Sequence, residues 1–138
     1  AELCGGEART SRVLIRRWHR ERVRVGSNFD LVAGIDLECE RERECLWHYV
    51  EVCKPVVFVM STPCTGMAGW KEVNQVRAPE AWRRSRMISE PLAESAGQIA
   101  WHQLNNGRHF VNEWPQGSDQ SQSPTWRVVL QDPRVDQM

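Results

Sequence analysis

The segment 61–66, Ser-Thr-Pro-Cys-Thr-Gly, contains the cysteine best placed for nucleophilic chemistry. Cys64 follows the apolar run 56–60 and lies among proline and glycine residues, which are typical of an exposed loop. A thiolate at such a position can add to an electrophilic centre. We therefore predict that Cys64 is the most reactive thiol of the chain. The other cysteines fall in predicted strands or helices, where we expect them to pack as small apolar side chains: Cys4, Cys39, Cys45 and Cys53.

A second reactive group follows the short segment 109–112. Glu113 stands there immediately before Trp-Pro, at a predicted turn. A carboxylate can exchange a proton with a substrate or accept hydrogen bonds from a polar ring. The alternative is that Glu113 caps a turn or pairs with an arginine such as Arg108. Together, Cys64 and Glu113 would supply a nucleophile and an acid/base group.

A glycine pair follows the first apolar stretch of the chain, in the order Cys4-Gly5-Gly6. Glycine lets a backbone approach a ligand closely, and the N-terminus of the helix predicted to follow favours an anion. A plain tight turn is the alternative, because the full Gly-x-Gly-x-x-Gly spacing is missing. Asp30 and Asp36 come at or after the second predicted strand, where an acid accepts hydrogen bonds from ribose or adenine. We expect Asp36 to bound the pocket with the glycine pair, and Asp30 is the second choice. Either aspartate could instead cap a turn.

The hydrophobic pattern predicts the elements that position these groups. We expect strands at residues 1–4, 29–33, 56–60 and 109–112, and helices at 8–24, 39–53, 79–104 and 126–130. Pro91 is predicted to split or kink the third helix, residues 61–78 are predicted as loop, and the run 56–60 is predicted to be buried on both faces. Alternating strands and helices predict an α/β domain with a mostly parallel sheet. The carboxyl ends of its strands should bring the four loops together.

Composition limits the class of protein further. The 138 residues suit one domain, and 18 basic residues balance 18 acidic ones, so no overall charge draws the chain to nucleic acid. No apolar run approaches the roughly 20 residues of a membrane helix, which predicts no membrane insertion. Five cysteines without a Cys-x-x-Cys pair argue against a disulfide scaffold or zinc site and favour a reducing intracellular compartment.

Four short motifs resemble those of S-adenosylmethionine-dependent DNA cytosine-5 methyltransferases. Residues 2–6 (Glu-Leu-Cys-Gly-Gly) resemble the acid-hydrophobic-Phe-Ala-Gly opening of that family, and residues 34–37 (Gly-Ile-Asp-Leu) are similar to its Gly-Asp-Ile segment. Residues 61–65 look like its Pro-Cys nucleophile motif, and residues 110–113 stand where its Glu-Asn-Val motif would lie. The likeness covers residues 2–115 and is strongest to divergent methyltransferase-like domains of protist genomes and mobile-element polyproteins.

The resemblance implies a three-layer, Rossmann-like methyltransferase core. It would be a single domain over residues 1–138, incomplete at the C-terminus and without a target-recognition domain. The implied cofactor is S-adenosylmethionine, with no metal. The residues implied to bind the cofactor are Cys4, Gly5, Gly6, Asp30, Asp36 and Pro63, the last of which would also fix the nucleophile loop.

The implied reaction is methyl transfer to cytosine in DNA, in the nucleus. Cys64 would add to C6 of the ring, and Glu113 would hydrogen-bond N3 and the exocyclic amine while C5 receives the methyl group. Such an enzyme must extrude the base from the duplex. Arg77, Arg83 and Arg84, with Arg86, would hold the phosphate backbone. A solvated helix surface is the alternative for these arginines.

Departures from the family pattern keep two other hypotheses open. Residues 7–9 (Glu-Ala-Arg) replace the second glycine cluster of the cofactor loop, and Trp114 replaces the asparagine of the Glu-Asn-Val motif. One alternative is therefore a catalytically inactive methyltransferase-like subunit that contacts other chains of a larger assembly. The other is a different nucleotide-binding α/β module, such as an oxidoreductase, although the complete glycine motif is missing.

Overall fold

Strands and helices alternate along the chain, as the hydrophobic pattern predicts. The computed structural model describes residues 1–18 and 24–137, so most of the predicted helical segment 19–24 lies outside the described residues. The elements are β1 (Glu2–Leu3), α1 (Arg9–Trp18), β2 (Asn28–Phe29), α2 (Glu40–Cys53), β3 (Val57–Met60), α3 (Lys71–Arg77), α4 (Pro79–Asn105), β4 (His109–Asn112) and α5 (Pro124–Gln131). Two short 3₁₀ helices cover Leu31–Ala33 and Asp119–Gln122.

The described residues form two compact units. The sheet unit consists of Ala1–Ser61 and Arg108–Asn112, and the helical unit consists of Thr62–Gly107 and Glu113–Met138. The prediction of a single domain over residues 1–138 stays a prediction. None of the helices in the described ranges is both long and apolar enough to cross a membrane.

The sheet unit contains four parallel strands in the order β2-β1-β3-β4. Leu3 lies opposite Met60, and Met60 lies opposite Asn112, so β1, β3 and β4 end at the same edge. This confirms the predicted α/β class and the predicted parallel pairing of the last two strands. The chain moves from β1 to β2 on one side and then to β3 on the other, and ligands bind at such a reversal in α/β sheets.

The strand β3 is buried on one face, whereas the run 56–60 was predicted to be buried on both. Phe58 and Met60 are fully buried, but Val57 is 39% exposed and Val56, just before the strand, is 69% exposed. The neighbouring strand β2 contacts α2 through the edge-to-face pair of Phe29 and Tyr49, with ring centroids 5.1 Å apart. On the opposite face of β3, Val57 is exposed and Val59 is half-buried.

The strand predicted at residues 29–33 is wrong in its second half. Only Asn28–Phe29 is strand. The carboxylate of Asp30 accepts a hydrogen bond from the Val32 N–H at 2.8 Å, which starts the 3₁₀ turn at Leu31–Ala33. The apolar pattern continues through Leu31 and Val32 and favours a strand there. The bond from the Val32 N–H to Asp30 overrides this β propensity.

The helical unit is built on α4, which is continuous through Pro91 and not split there. A proline at this position leaves the Met87 carbonyl without its helical donor. Met87 is 73% exposed, so this part of the helix lies at the surface. The predicted loop 61–78 was also partly wrong, because it contains α3.

One face of α4 forms the core of the helical unit together with α5. The Trp126 indole of α5 is fully buried and donates to the Ala93 carbonyl at 2.8 Å. A Cβ at Gly97 would lie 3.1 Å from the Thr125 Cγ2 atom, so glycine permits the close approach of the two helices. The predicted helix at 126–130 is confirmed, with an earlier start at Pro124 that the Ser123 side chain caps.

Candidate functional site

The loop after β1 lies against the end of β2 through its own hydrogen bonds. The Gly6 N–H donates to Oδ2 of Asp30 at 2.9 Å, and the Asn28 amide donates to the Gly6 carbonyl at 2.8 Å. The Cys4 N–H donates to the Phe29 carbonyl at 2.9 Å. The structure therefore brings together four residues predicted to bind a cofactor: Cys4, Gly5, Gly6 and Asp30.

Both glycines of this loop have a structural requirement. A Cβ at Gly5 would lie 2.4 Å from Oε2 of Glu2 and 2.9 Å from Oδ1 of Asn28. Gly6 has a φ of +56°, in the left-handed region that favours glycine. The glycine pair thus fits the turn itself, in addition to any role at a ligand.

Glu2 is a residue of this region that the sequence reasoning missed. Its side chain is buried, with 3% exposure, and accepts hydrogen bonds from the Ser11 hydroxyl and from the Ser11 N–H, the latter at 2.8 Å. Ser11 belongs to the first turn of α1, so the Glu2 carboxylate occupies the position at which a ligand anion was expected. The sequence contained one sign of this bond, because a serine stands in the first turn of the predicted helix and an acid stands in the strand before it.

Cys4 is half-buried and adopts a φ of +53°. Burial, with the nearby negative charge of Asp30, raises the pKa of the Cys4 thiol to about 12. The thiol is therefore protonated near neutral pH and can contact or hydrogen-bond a ligand, but it is not a nucleophile there.

Asp36, the other predicted acid, serves a different turn. Its exposed side chain accepts from the Glu38 N–H at 3.0 Å, and its carbonyl accepts from the Cys39 N–H at 3.0 Å, just before α2 begins. Among the contacts of residues 1–18 and 24–137, Asp30 and not Asp36 bonds to the glycine loop.

The predicted nucleophile and acid belong to the helical unit. Cys64 is half-buried in a turn closed by its carbonyl, which accepts from Met67 and Ala68 N–H groups at 2.8 and 3.0 Å. Pro63 and Glu113 are exposed. In the chain, Cys64 comes four residues after the end of β3, and Glu113 comes directly after the end of β4.

Gly66 lies close against α4 in the loop that contains Cys64. A Cβ at Gly66 would lie 2.8 Å from the Arg86 backbone nitrogen and 3.1 Å from its Cα. Since backbone atoms cannot move aside as a flexible side chain can, the loop requires glycine at this position.

The prediction that the remaining cysteines are packed is wrong for three of them. Cys39, Cys45 and Cys53 are exposed, at or within α2. The buried residues of α2 are Leu46 and Val50, in the middle of the helix. Cys39 and Cys53 follow the seven-residue spacing of Leu46 but lie at the two ends of α2, and Cys45 lies off the buried stripe. Exposure alone therefore does not distinguish Cys64 from the other thiols.

The predicted phosphate-binding arginines divide into two kinds. Arg77, Arg83 and Arg84 are exposed on α3 and α4. Arg86 instead pairs with Glu90, and its Nη1 donates to Asp119 at 3.0 Å. Burial opposes ionisation of Asp119, but hydrogen bonds and charge from Lys71 and Arg86 outweigh it and lower the Asp119 pKa. The guanidinium of Arg86 is therefore bonded to two carboxylates of the protein, whereas the other three arginines are exposed.

The structure defines an α/β domain with a four-stranded parallel sheet, which is compatible with a Rossmann-like fold. Comparisons of the chain with protein-family models, with curated proteins and with solved structures found no match. In the described ranges, no group of three or more His, Cys, Asp or Glu residues is placed to hold a metal ion.

Proposed function

We propose that this chain is a DNA cytosine-5 methyltransferase-like domain whose sheet unit binds S-adenosylmethionine. The observation that carries the proposal is the bond from Gly6 to Asp30, at the carboxyl ends of β1 and β2 and beside the reversal of strand order. The motif resemblance supplies the choice of cofactor.

Asp30 has acceptor capacity left for a ribose. A carboxylate offers about four acceptor positions, and the Gly6 and Val32 N–H groups take one on each oxygen. The side chain is only half-buried, so hydroxyl groups of a nucleoside can reach it. This supports Asp30 rather than Asp36 as the acid that binds the ribose.

The buried Glu2 favours a cofactor without phosphate groups. A dinucleotide places its pyrophosphate at the N-terminus of the first helix of such a fold. Here that N-terminus already bonds to the Glu2 carboxylate, whose charge would repel a pyrophosphate. S-adenosylmethionine contains no phosphate, which supports the methyltransferase hypothesis over an oxidoreductase.

The bound cofactor would supply an electrophilic methyl group. By the family resemblance, Sγ of Cys64 would add to C6 of cytosine, with Pro63 restricting the loop. One oxygen of Glu113 would accept a hydrogen bond from the exocyclic amine, and the other would share a proton with N3. After C5 receives the methyl group, loss of the C5 proton to water would break the C6–S bond and release Cys64. Arg77, Arg83 and Arg84, all exposed, would contact the phosphate backbone of the DNA.

A non-catalytic role is the second candidate. Val56, Val57 and Val111 are 69%, 39% and 52% exposed on or beside the sheet. Apolar side chains exposed together on one sheet favour contact with another protein chain. In this role the fold would be retained without the methyl transfer.

Calorimetry with S-adenosylhomocysteine tests the proposal. We expect micromolar binding by the wild-type chain, about tenfold weaker binding by Asp30→Asn, and unchanged binding by the matched control Asp36→Asn. A thermal melt of each variant separates loss of binding from loss of folding. If the folded wild-type chain binds no cofactor, the methyltransferase proposal fails and the non-catalytic role is favoured.

A further inference from the structure

A cavity of about 570 Å³ lies within the helical unit, between α4, the 3₁₀ helix Asp119–Gln122 and the start of α5. Its volume is in the range of small-molecule sites, which are mostly apolar with a few polar groups. Met67 and Ala93, each 2% exposed, contribute apolar surface to its lining. Among the residues to which the methyltransferase resemblance gives a role, Arg86 alone lines this cavity, and its guanidinium is bonded to Glu90 and Asp119.

The charges around the cavity do not balance. Arg86 pairs with Glu90 and Asp119, and Lys71 also pairs with Asp119. These two cations and two anions compensate one another. Glu94 also lines the cavity, and its described partner is the uncharged hydroxyl of Thr125. Arg127 also lies nearby, where its guanidinium donates to Oε1 of Gln122 at 3.2 Å. The side chains that line the cavity itself still include one cation, Arg86, against three carboxylates, so the lining carries an excess of negative charge.

Gln120 supplies an independent sign of a missing partner. This lining residue is 1% exposed, and its Oε1 accepts a hydrogen bond from the Thr62 hydroxyl at 3.2 Å. Its Nε2 has no hydrogen-bond partner in the part of the chain that the structure describes. Buried donors are nearly always paired in native proteins, so a bound acceptor would account for this one.

We propose that this cavity binds a small organic cation. The ligand would have an apolar body against Met67 and Ala93, an ammonium or amidinium group at Glu94, and an acceptor atom for Nε2 of Gln120. Anionic ligands are disfavoured, because the guanidinium of Arg86 is already held by two carboxylates.

The probe for this site is 4-amidinobenzamide, which carries an amidinium group, a flat apolar ring and a carbonyl acceptor. Binding to the full chain is followed by amide chemical shifts in NMR titrations. We expect saturable shifts at residues that line the cavity, with millimolar or tighter affinity, as suits a ligand of this size. Benzamide, which lacks the charge, should bind at least about fivefold more weakly, and 4-carboxybenzamide should not bind.

The variant Glu94→Gln tests the charge while it keeps an oxygen acceptor for the Thr125 hydroxyl. It should weaken binding of the probe about tenfold. Glu80→Gln, on the same helix but outside the cavity lining, should leave the affinity unchanged. Equal binding of the anion and the cation, undiminished binding by Glu94→Gln, or the absence of saturable shifts at the cavity up to about 10 mM would each overturn the proposal.

Discussion

The loop after β1 and the loop that contains Cys64 differ in the hydrogen bonds that their polar side chains make within the protein. In the β1 loop, Gly6, Asn28 and Asp30 bond to one another, and Glu2 bonds to α1. The Cys64 loop is held by a backbone turn and by the contact of Gly66 with α4. The comparison indicates that mutations in the first loop act mainly on stability, whereas Cys64 and Glu113 can change with little effect on folding.

The largest expected effect is that of Gly5→Ala. The new Cβ would lie 2.4 Å from the Glu2 carboxylate oxygen, in a buried region, so the free energy of unfolding should fall by about 2–4 kcal/mol. Urea denaturation measures this change. The control Gly117→Ala places a Cβ in open space at a φ of +75° and should cost only about 1 kcal/mol. Equal costs for the two variants would show that the β1 loop is not tightly fixed.

Removing the negative charge of Glu2 should have the next largest effect. Glu2→Gln keeps an acceptor for Ser11 but loses the favourable interaction of the carboxylate with the N-terminus of α1, at a cost of about 1–2 kcal/mol. Glu7→Gln removes a carboxylate whose side chain is 61% exposed in its pair with Arg12. The free energy of unfolding of that control should stay within about 0.5 kcal/mol of the wild-type value in the same denaturation assay.

The Cys4 thiol should make stability depend on alkaline pH. Because its folded pKa is about 12, above the unfolded value of 9.0, its contribution is fully present below pH 9 and is lost as pH rises toward 12. The loss should amount to about 1 kcal/mol one pH unit above the unfolded pKa. Cys4→Ser should flatten this decline relative to wild type, and Cys53→Ser, at an exposed thiol, should not. A decline that is equally steep in Cys4→Ser would assign it to another group.

Alkylation at pH 8 should show the order in which the five thiols react. The exposed cysteines of the α2 region, Cys39, Cys45 and Cys53, and the loop residue Cys64 should react before Cys4, whose raised pKa keeps it protonated. Mass spectrometry after brief treatment with iodoacetamide gives the order. The prediction that Cys64 is the most reactive thiol is tested against the three exposed competitors, and early labelling of Cys4 would contradict the structural account of its loop.

The sequence predicts the alternation of elements and much of the core, because long apolar patterns specify which faces are buried. The helix α2 and the strands β3 and β4 lie where the pattern predicts them. The early end of β2 was not predicted, since a side-chain bond from Asp30 overrides β propensity there. The continuity of α4 through Pro91 was not predicted either, because the same residue can end, kink or continue a helix.

The candidate site was predicted less completely than the fold. Asp36 was expected to be the acid beside the glycine loop, with Asp30 as the second choice, but the bond from Gly6 is made to Asp30. The role of Glu2 and the pairing of Arg86 with Asp119 join residues 9 and 33 positions apart, respectively, through tertiary packing. Motif spacing gives no information about such pairs.

Covalent trapping of DNA that contains 5-fluorocytosine tests the central claim most directly. Fluorine at C5 blocks the elimination that would release Cys64, so an active chain with S-adenosylmethionine should remain attached to the DNA. We predict an adduct for the wild-type chain, none for Cys64→Ser, and a reduced yield for Glu113→Gln, with all three proteins equally stable because both side chains lie outside the core. The absence of an adduct from a folded wild-type chain that binds cofactor would contradict the catalytic account.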